Sequence, residues 1–299
     1  MYFLLGNNVS GDIMIYVLLF FADVVWGLNI VITKINYDSF HPVFLIFLKI
    51  FFSLIAMLIV VRLKNYKLEK VDVTSILINT NFINVINFLL TYFALQNVKG
   101  VISATINCLA PFIMMIITLF DNKKINIKTI LLFMISLFGF LCTIEFKIAS
   151  LSLGHLLLIL ALFVYNLGNF RLKKIKDSNI FVYNTYMLFI AFFEILFICL
   201  FFDDLIYQIN TFYLWLFILT SGFGYAYIQS VYFYSIQQIG PLKTSVFLGL
   251  SPIFTYIFSI IILKEKVNFY LIAGFIIILS SSIYFLIHFQ HHKTDINKF

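Results

Sequence analysis

The chain has 299 residues, of which 63% are hydrophobic and only 11% are charged, and its formal net charge is +7. Soluble domains carry about 45–50% apolar and about 25% charged residues, so this composition excludes a soluble fold and makes lipid the expected solvent. The basic residues stand in short segments between apolar runs, which favours a role in membrane orientation over nucleic-acid binding.

Ten continuously apolar runs follow one another along the chain. Each is close to the roughly 20 residues that a helix needs to cross a hydrocarbon core of about 30 Å, and the runs lack the alternation of barrel strands. Because lipid leaves unpaired backbone groups unsatisfied, the predicted fold class is an all-α membrane protein. The predicted spans are 13–33, 42–61, 73–95, 101–120, 128–146, 152–170, 180–202, 211–235, 242–263 and 268–288.

The charges between these spans predict an orientation. Ten spans would place fourteen basic residues on one side of the membrane and five on the other. The larger group is Arg62, Lys64, Lys67, Lys70, Lys123, Lys124, Lys128, Arg171, Lys173, Lys174, Lys176, Lys243, Lys293 and Lys298; the smaller is Lys34, Lys99, Lys147, Lys264 and Lys266. Since positive loops remain in the cytoplasm, both termini are predicted to be cytoplasmic, and we expect a bacterial cell inner membrane.

The four prolines indicate an internal repeat. Pro42 suits the first turn of a helix and Pro241 a loop, whereas Pro111 and Pro252 are expected to break helices. These last two are 141 residues apart, and the same offset aligns Gln96-Asn97-Val98 with Gln237-Gln238-Ile239 and Ser103-Ala104 with Thr244-Ser245. This shared frame favours duplication. The alternative is that unrelated helices use similar residues.

Two halves with five spans each would enter the membrane in opposite orientations, because five is odd. We therefore predict ten transmembrane helices in two inverted five-helix repeats, over 13–146 and 152–288, followed by a cytoplasmic tail at 289–299. Many secondary transporters use inverted repeats to build a substrate site at the bilayer midplane.

Polar stripes on equivalent spans predict where such a site lies. Thr80, Asn84, Asn87 and Thr91 follow helical spacing on span three. The equivalent positions of span eight are Ser221, Tyr225, Ile228 and Tyr232, with Gln229 beside them, so both halves carry a polar stripe on this helix. Such residues either line a cavity or form interhelical hydrogen bonds, and their pairing between the halves favours a cavity. The predicted substrate-binding residues are Trp26, Asn29, Thr80, Asn84, Asn87, Thr91, Asn107, Tyr165, Asn169, Ser221, Tyr225, Gln229 and Ser251.

Three charged residues fall inside predicted spans. A charge within the bilayer costs about 2.5–3.5 kcal/mol on insertion scales, so Asp23, Lys49 and Glu194 are candidates for gating or coupling. Asp23 and Lys49 could form a buried pair, either structural or gating. Alternatively, Asp23 or Glu194 could carry a proton or bind a cation. Glu145 stands near the end of span five, from which its side chain can reach the interface.

Other chemistry is not indicated. The cysteines Cys108, Cys142 and Cys199 fall inside apolar runs, and the five histidines make no helical pair of metal ligands. The chain lacks a Walker loop, a GxSxG motif and a dinucleotide fingerprint. We therefore expect no enzyme activity, no cofactor and no metal site.

The chain resembles the EamA-type members of the drug/metabolite transporter superfamily over nearly its whole length. The resemblance rests on Trp26-Gly27-Leu28-Asn29 in the first helix, Ser103-Ala104 through Pro111 in the fourth, and Thr244-Ser245 through Pro252, Leu263-Lys264-Glu265-Lys266 and Gly274 in the last two. It implies ten helices, cytoplasmic termini, two inverted five-helix repeats and a central substrate cavity.

Two positions depart from the family pattern. The first repeat has Lys124 where Glu265 aligns, with Asp121 nearby, which leaves open whether this repeat makes an equivalent of the Glu265 contact. Span two has Lys49 where many members carry arginine. The family moves amino acids, drugs, nucleobases, nucleotide sugars and other metabolites, so the resemblance does not name a substrate.

These observations predict a secondary transporter of a small polar or amphipathic metabolite, an amino acid or nucleoside-like compound, working by alternating access. Alternatives are uptake of a cofactor-type metabolite such as S-adenosylmethionine, as some members in obligate intracellular bacteria do, and a non-transporting membrane subunit. Expected partners are the small-molecule substrate and membrane lipid, with no nucleic acid, and the chain is expected to be a monomer or homodimer.

Overall fold

The computed structural model describes residues 9–67, 71–119, 127–146, 152–172, 175, 179–248 and 251–296. Their regular structure is helical, apart from an isolated bridge between Phe40 and Ile206. We label the helices α1 (Val9–Asn36), α2 (Pro42–Leu63), α3 (Val73–Asn97), α4 (Gly100–Asn107 and Ala110–Leu119), α5 (Ile127–Thr143), α6 (Leu153–Leu172), α7 (Ile180–Cys199), α8 (Thr211–Ile239), α9 (Pro241–Leu248 and Ser251–Ile261) and α10 (Phe269–Ile296).

Among the described residues, seven helices are long and apolar enough to cross a membrane, namely α1 to α4 and α6 to α8. Shorter apolar helices cover Ile130–Thr143, Ser251–Ile261 and Phe269–Ser281. Large apolar side chains such as Phe21, Leu131 and Phe193 are more than half exposed, which suits contact with lipid rather than water. The chain is an all-α, multi-pass membrane protein, as its composition predicts.

Local capping groups fix where several helices begin. Asp72 accepts hydrogen bonds from the first-turn amides of α3, and Asn179 accepts them at the start of α7. Pro42 opens α2, as predicted. The prediction that Pro241 lies in a loop is wrong: Pro241 is the first residue of α9 and follows Gly240, whose φ is 86°. Proline at this position costs nothing, because the first helical amide has no intrahelical acceptor.

α4 is divided into two segments. The helix ends at Asn107 and begins again at Ala110, so Pro111 is the second residue of the new segment. Proline has no N–H and its ring clashes with the carbonyl four residues earlier, so a helix does not run through it unchanged. Pro252 has the same place in the second segment of α9.

The helices of one half pack against those of the other. α2 packs against α7, and α5 packs against α10, so each of these pairs joins equivalent helices. α3 packs on α6, and the equivalent α8 packs on α1. The halves therefore share one interface and do not form separate bundles.

A hydrogen bond joins two residues that the repeat makes equivalent. The Tyr225 hydroxyl donates to Oδ1 of Asn84 over 2.7 Å, and these residues are 141 positions apart. Equivalent residues of two repeats meet only where the axis relating the repeats passes between them. This contact places the local two-fold axis between the middle of α3 and the middle of α8.

Both of these helices contain a π-helical segment, at Asn81–Val85 in α3 and at Ile218–Phe223 in α8. Such segments leave backbone groups without their usual partners and are frequent at functional sites. Neither segment contains proline, and the sequence offered no signal for them.

Equivalent side chains support the two π segments. On α2, Ser53 donates to the carbonyl of Gly222 over 2.6 Å. On α7, Glu194 accepts from Nδ2 of Asn81 over 3.3 Å. Each residue of the second pair is related to one of the first by the offset of 141. The duplication has therefore kept the position of this contact and changed its chemistry.

We call one end of the helix bundle the Glu265 end. There, the two carboxylate oxygens of Glu265 accept from the amides of Gly100 and Val101 over 2.8 and 3.0 Å. These amides open α4 and have no partners within the helix, so the carboxylate satisfies them and the positive end of the helix dipole.

Lys34, near the end of α1, makes a second contact at the Glu265 end. Its ammonium donates to the carbonyls of Leu95 and Val98, over 3.0 and 2.6 Å, where α3 ends. At the opposite end, which we call the Gln237 end, Nε2 of Gln237 donates to the carbonyl of Ile175 over 3.0 Å. Position 175 is the equivalent of 34, so the contact at each end ties together equivalent helices, α1 with α3 at the Glu265 end and α6 with α8 at the Gln237 end.

Several sequence predictions lie outside the described residues. These concern Lys124 and Asp121, for which the counterpart of the Glu265 contact was in doubt, and the basic residues Lys70, Lys123, Lys147, Lys173, Lys174, Lys176 and Lys298. Within the predicted tail, the described backbone remains helical to Ile296.

Candidate functional site

A narrow cavity lies between the two repeats, on the Glu265 side of the Asn84–Tyr225 contact. The cavity has a volume of about 50 Å³. This is room for a few water molecules, each of which needs roughly 10–15 Å³. Predicted site residues that line it are Trp26, Asn29, Lys49, Asn87, Thr91, Asn107, Tyr165 and Tyr225.

Lys49 brings a charged group to this cavity from α2. Its side chain is only 5% exposed. The ammonium lies 4.1 Å from the ring centre of Phe88, 4.4 Å from that of Tyr225 and 5.5 Å from that of Tyr92. Aromatic faces attract cations within about 6 Å, and this effect is larger where water is excluded. We call Lys49 and these three rings the Lys49 cage.

The amides at the cavity are held by backbone contacts. Asn29 donates to the carbonyl of Thr220 over 3.2 Å, which joins α1 to the π segment of α8. Asn87 donates to the carbonyl of Ile83 over 3.2 Å and accepts from Thr91 over 3.4 Å. The amide oxygens and hydroxyls are thus fixed in place, as a binding site requires.

Asn84 lies behind the cavity wall instead of in it. Its Oδ1 accepts from Tyr225 and, over 3.1 Å, from Nε2 of Gln229. This buried network orients the Tyr225 ring that faces Lys49. The remaining predicted substrate-binding residues are buried outside the lining: Thr80, Asn169, Ser221 and Ser251.

Asp23 faces α8 and does not line the cavity. Its side chain is 1% exposed and accepts a short hydrogen bond from the Tyr232 hydroxyl. The Trp26 ring packs against Tyr232 and Tyr165 at centroid distances of 6.1 and 5.9 Å. These aromatic rings separate the Asp23 carboxylate from the cavity.

The predicted Asp23–Lys49 pair is not formed in this structure. Asp23 is bonded to Tyr232, and Lys49 lies against aromatic faces, because the two side chains leave their helices toward different neighbours. Glu194 is half-buried and lies at the α3 π segment, away from the cavity lining. Glu145 lies just after the last residue of α5, and its carboxylate accepts a hydrogen bond from the side-chain amide of Asn268.

Sequence reasoning missed several residues that define the site. Phe88, Tyr92 and Thr33 line the cavity, and Tyr232 holds Asp23. Phe88 and Tyr92 are spaced by four on the same face as the polar stripe of α3, which is a usable signal. However, the chain has 38 Phe and 17 Tyr, so this spacing alone does not distinguish aromatic residues of the site from those of the core.

The part of the chain that the structure describes contains no set of side chains that could bind a metal ion. No group of three or more His, Cys, Asp and Glu side chains comes together there. The three cysteines, Cys108, Cys142 and Cys199, are buried and unbridged.

Comparison with known proteins agrees with this architecture. A solved crystal structure covers 90% of this chain and 95% of its own chain with a TM-score of 0.66 and 9% sequence identity, a likeness that concerns the fold alone. No curated protein matches the chain. The EamA-like transporter family matches residues 13–144 and 152–287, which are the two halves joined at the cavity. The chain therefore belongs to the EamA-like transporter family, as its resemblance to EamA-type drug/metabolite transporters predicts.

Proposed function

We propose that this membrane transporter is a secondary carrier that moves a small polar or amphipathic metabolite by alternating access. It would cross the membrane ten times, as two inverted five-helix repeats with cytoplasmic termini in a bacterial inner membrane. The Glu265 end would then face outward and the Gln237 end would face the cytoplasm.

The observation that carries this proposal is the position of the cavity. It lies between the two repeats, next to the Asn84–Tyr225 contact, and takes lining residues from both. In inverted-repeat transporters, each repeat can adopt the conformation of the other, which moves access from one membrane side to the other around a central site. The narrow cavity corresponds to a state that must widen to admit a metabolite.

The lining supports an amino acid or a nucleoside-like compound as substrate. Aromatic rings of Trp26, Tyr165 and Tyr225 offer flat apolar surfaces, while Asn87 and Asn107 offer amide groups. A few fixed polar groups among aromatic walls are typical of small-molecule sites.

The test is counterflow in proteoliposomes that contain the purified protein. Vesicles are loaded with one unlabelled amino acid or nucleoside, and entry of the same labelled compound is followed from a dilute external solution. A carrier working by alternating access gives transient accumulation above equilibrium, whereas a pore gives equilibration only. If no compound in the panel moves and a second membrane protein co-purifies, the chain is a subunit and the proposal fails.

Coupling to a proton gradient is assigned to Asp23 within this proposal. Asp23→Asn should abolish the uptake that depends on an inward proton gradient and leave counterflow within about threefold of wild type, since counterflow needs no gradient. Tyr232→Phe is the matched control, because it removes the hydrogen bond and keeps the carboxylate. Unchanged gradient-driven uptake in Asp23→Asn would remove Asp23 from coupling.

A further inference from the structure

The Lys49 cage contains a buried ammonium group that no carboxylate of the described residues balances. Among the described residues, Lys49 has no carboxylate partner, and its recorded contacts are the three aromatic rings. Burying an unpaired charge costs several kcal/mol, of which cation–π contacts return only part. The ammonium also has three N–H donors, and aromatic faces are weak acceptors for them.

The buried carboxylates of the neighbouring helices do not supply this balance. Asp23 accepts from Tyr232 behind the aromatic wall, and Glu194 accepts from Asn81 at the π segment of α3. Because both are bound elsewhere, neither pairs with Lys49, and an anion that enters the cavity can take this place. The open side of the ammonium is the cavity that Lys49 lines.

The rest of the lining limits what this anion can be. Trp26 and Tyr165 form an aromatic wall, with their rings in T-shaped contact and 5.9 Å between centroids. Leu158, Ala161 and Leu162 continue the apolar surface along α6. A ligand that fits both parts has a compact acidic group at one end and a flat or apolar body at the other.

The charge is also confined to one repeat. The offset of 141 places Ile190 at the position equivalent to Lys49, and Gln229 and Phe233 at those equivalent to Phe88 and Tyr92. Duplication alone would supply either two such cages or none. The cavity therefore has a cationic group at one end only, and a ligand with a single acidic end can match this arrangement.

We propose that the substrate is a compact organic anion, whose acidic oxygens pair with Lys49 and whose apolar body packs against Trp26 and Tyr165. This inference rests on the proposed transport function and names its substrate class. A carboxylate and a phosphate ester share the required chemistry, and the experiment separates them.

The experiment compares four probes with the same benzyl or phenyl body on the purified protein in detergent: phenylacetate, phenyl phosphate, phenylacetamide and 2-phenylethylamine. Thermal unfolding is followed over a concentration series of each, because a ligand of the folded state raises Tm with its concentration. We expect at least one of the two anions to raise Tm in a saturable manner, and the amide and the amine to have no such effect. Phenylacetate alone would select a carboxylate, and phenyl phosphate alone a phosphate ester.

Lys49→Met tests the residue itself. Methionine has a similar length and no charge, so the unliganded variant should fold, and replacing a buried charge by an apolar group is often neutral or stabilising. The anion affinity should fall at least tenfold, equivalent to about 1.4 kcal/mol. Lys49→Arg is the matched control, because it keeps a cation at the cage, and it should retain most of the affinity.

Three outcomes would overturn the inference: equal stabilisation by phenylacetamide or 2-phenylethylamine, unchanged anion affinity in Lys49→Met, or no stabilisation by any of the four probes. None of them decides whether the protein transports. Counterflow of neutral or cationic compounds, unaffected by Lys49→Met, would leave the carrier standing and remove only its anionic substrate.

Discussion

At the start of α4 the first repeat presents two free amides, of Gly100 and Val101, to the carboxylate of Glu265. The equivalent start of α9 is Pro241, which has no amide hydrogen. The residue that aligns with Glu265 is Lys124, which has no acceptor to offer. The first repeat thus lacks the acid, and the second repeat lacks one of the donors that such an acid would serve, which explains how the departure from the family pattern can be tolerated.

The same comparison separates scaffold from site. Contacts that hold the helices recur at the offset of 141, as with Ser53 at Gly222 and Glu194 at Asn81. The charged groups do not recur, since Asp23 aligns with Val164 and Lys49 with Ile190. Duplication therefore accounts for the frame, whereas the charges of Asp23 and Lys49 occur in the first repeat only.

The largest expected effect comes from a pair of equivalent glycines, Gly27 on α1 and Gly168 on α6. A Cβ at Gly27 would lie 2.6 Å from the backbone nitrogen of Thr255 on α9, whereas one at Gly168 would lie 2.5 Å from a side-chain carbon of Ile83. A backbone cannot move aside as a side chain can. We expect Gly27→Ala to cost about 3 kcal/mol and Gly168→Ala about 1 kcal/mol, within the range for overpacking.

Thermal unfolding of the two variants in the same detergent measures this difference. Each variant serves as the control for the other, because both add one methyl group to an equivalent helix. Equal losses, or a larger loss in Gly168→Ala, would show that the α1–α9 contact is no tighter than the α6–α3 contact.

The next largest effect concerns Glu265. Glu265→Ala leaves the amides of Gly100 and Val101 without their acceptor, and hydrogen bonds to charged groups contribute about 1.5–3 kcal/mol. We therefore expect a loss of about 2 kcal/mol and faster hydrogen exchange at the start of α4, measured by mass spectrometry. The neighbouring Lys266→Ala removes an exposed side chain and should change neither quantity. Unchanged exchange in Glu265→Ala would mean that the carboxylate does not hold this helix.

A smaller effect distinguishes the supports of the two π segments. Ser53→Ala removes a buried donor to Gly222 and should cost about 1 kcal/mol. Glu194→Gln keeps an oxygen acceptor for Asn81 and should stay within about 0.5 kcal/mol of wild type. Because we assign Glu194 to support and not to coupling, the pH dependence of uptake should be the same in Glu194→Gln as in wild type. An altered pH profile would return Glu194 to the coupling machinery.

The frame of this protein was predictable because its signals are spread over many residues. Apolar runs, the proline pair and the polar stripes fixed the helices and the offset of 141, and the Asn84–Tyr225 contact agrees with that offset. Such patterns survive the loss of any one residue. Eight of the predicted site residues line the cavity, and the others lie outside its lining.

The partners of the charged residues were not predictable in the same way. Asp23 and Lys49 lie on consecutive helices of the chain, and their opposite charges suggested a pair, but the direction of each side chain depends on helix rotation that no local pattern encodes. The result is a Tyr232 hydroxyl for one and the Lys49 cage for the other. The π segments were missed for a similar reason, because tertiary contacts support them.

The smallest expected effect compares the helix caps of the two repeats. α3 is capped by Asp72, whose oxygens accept from the amides of Thr74 and Ser75 over 3.3 and 3.0 Å. α8 is capped by the neutral Asn210, which accepts from the amide of Tyr213 over 3.4 Å. Hydrogen bonds from the side chain and amide of Ser75, with that from Thr74, lower the pKa of Asp72 below its ordinary value of 3.8.

A lowered pKa in the folded state means that the stability Asp72 contributes is present above pH 3.8 and is lost as the pH falls through the folded-state value. Asparagine caps a helix about as well as aspartate but does not titrate. Hence, between pH 6 and pH 3, the first-turn amides of α3 should lose more protection against hydrogen exchange in wild type than in Asp72→Asn. The measurement is the hydrogen-exchange rate of these amides, corrected for its intrinsic dependence on pH. Asn210→Asp should introduce the same dependence at α8. If Asp72→Asn keeps the wild-type pH response, the cap of α3 is not the group that titrates, and this difference between the repeats has no energetic consequence.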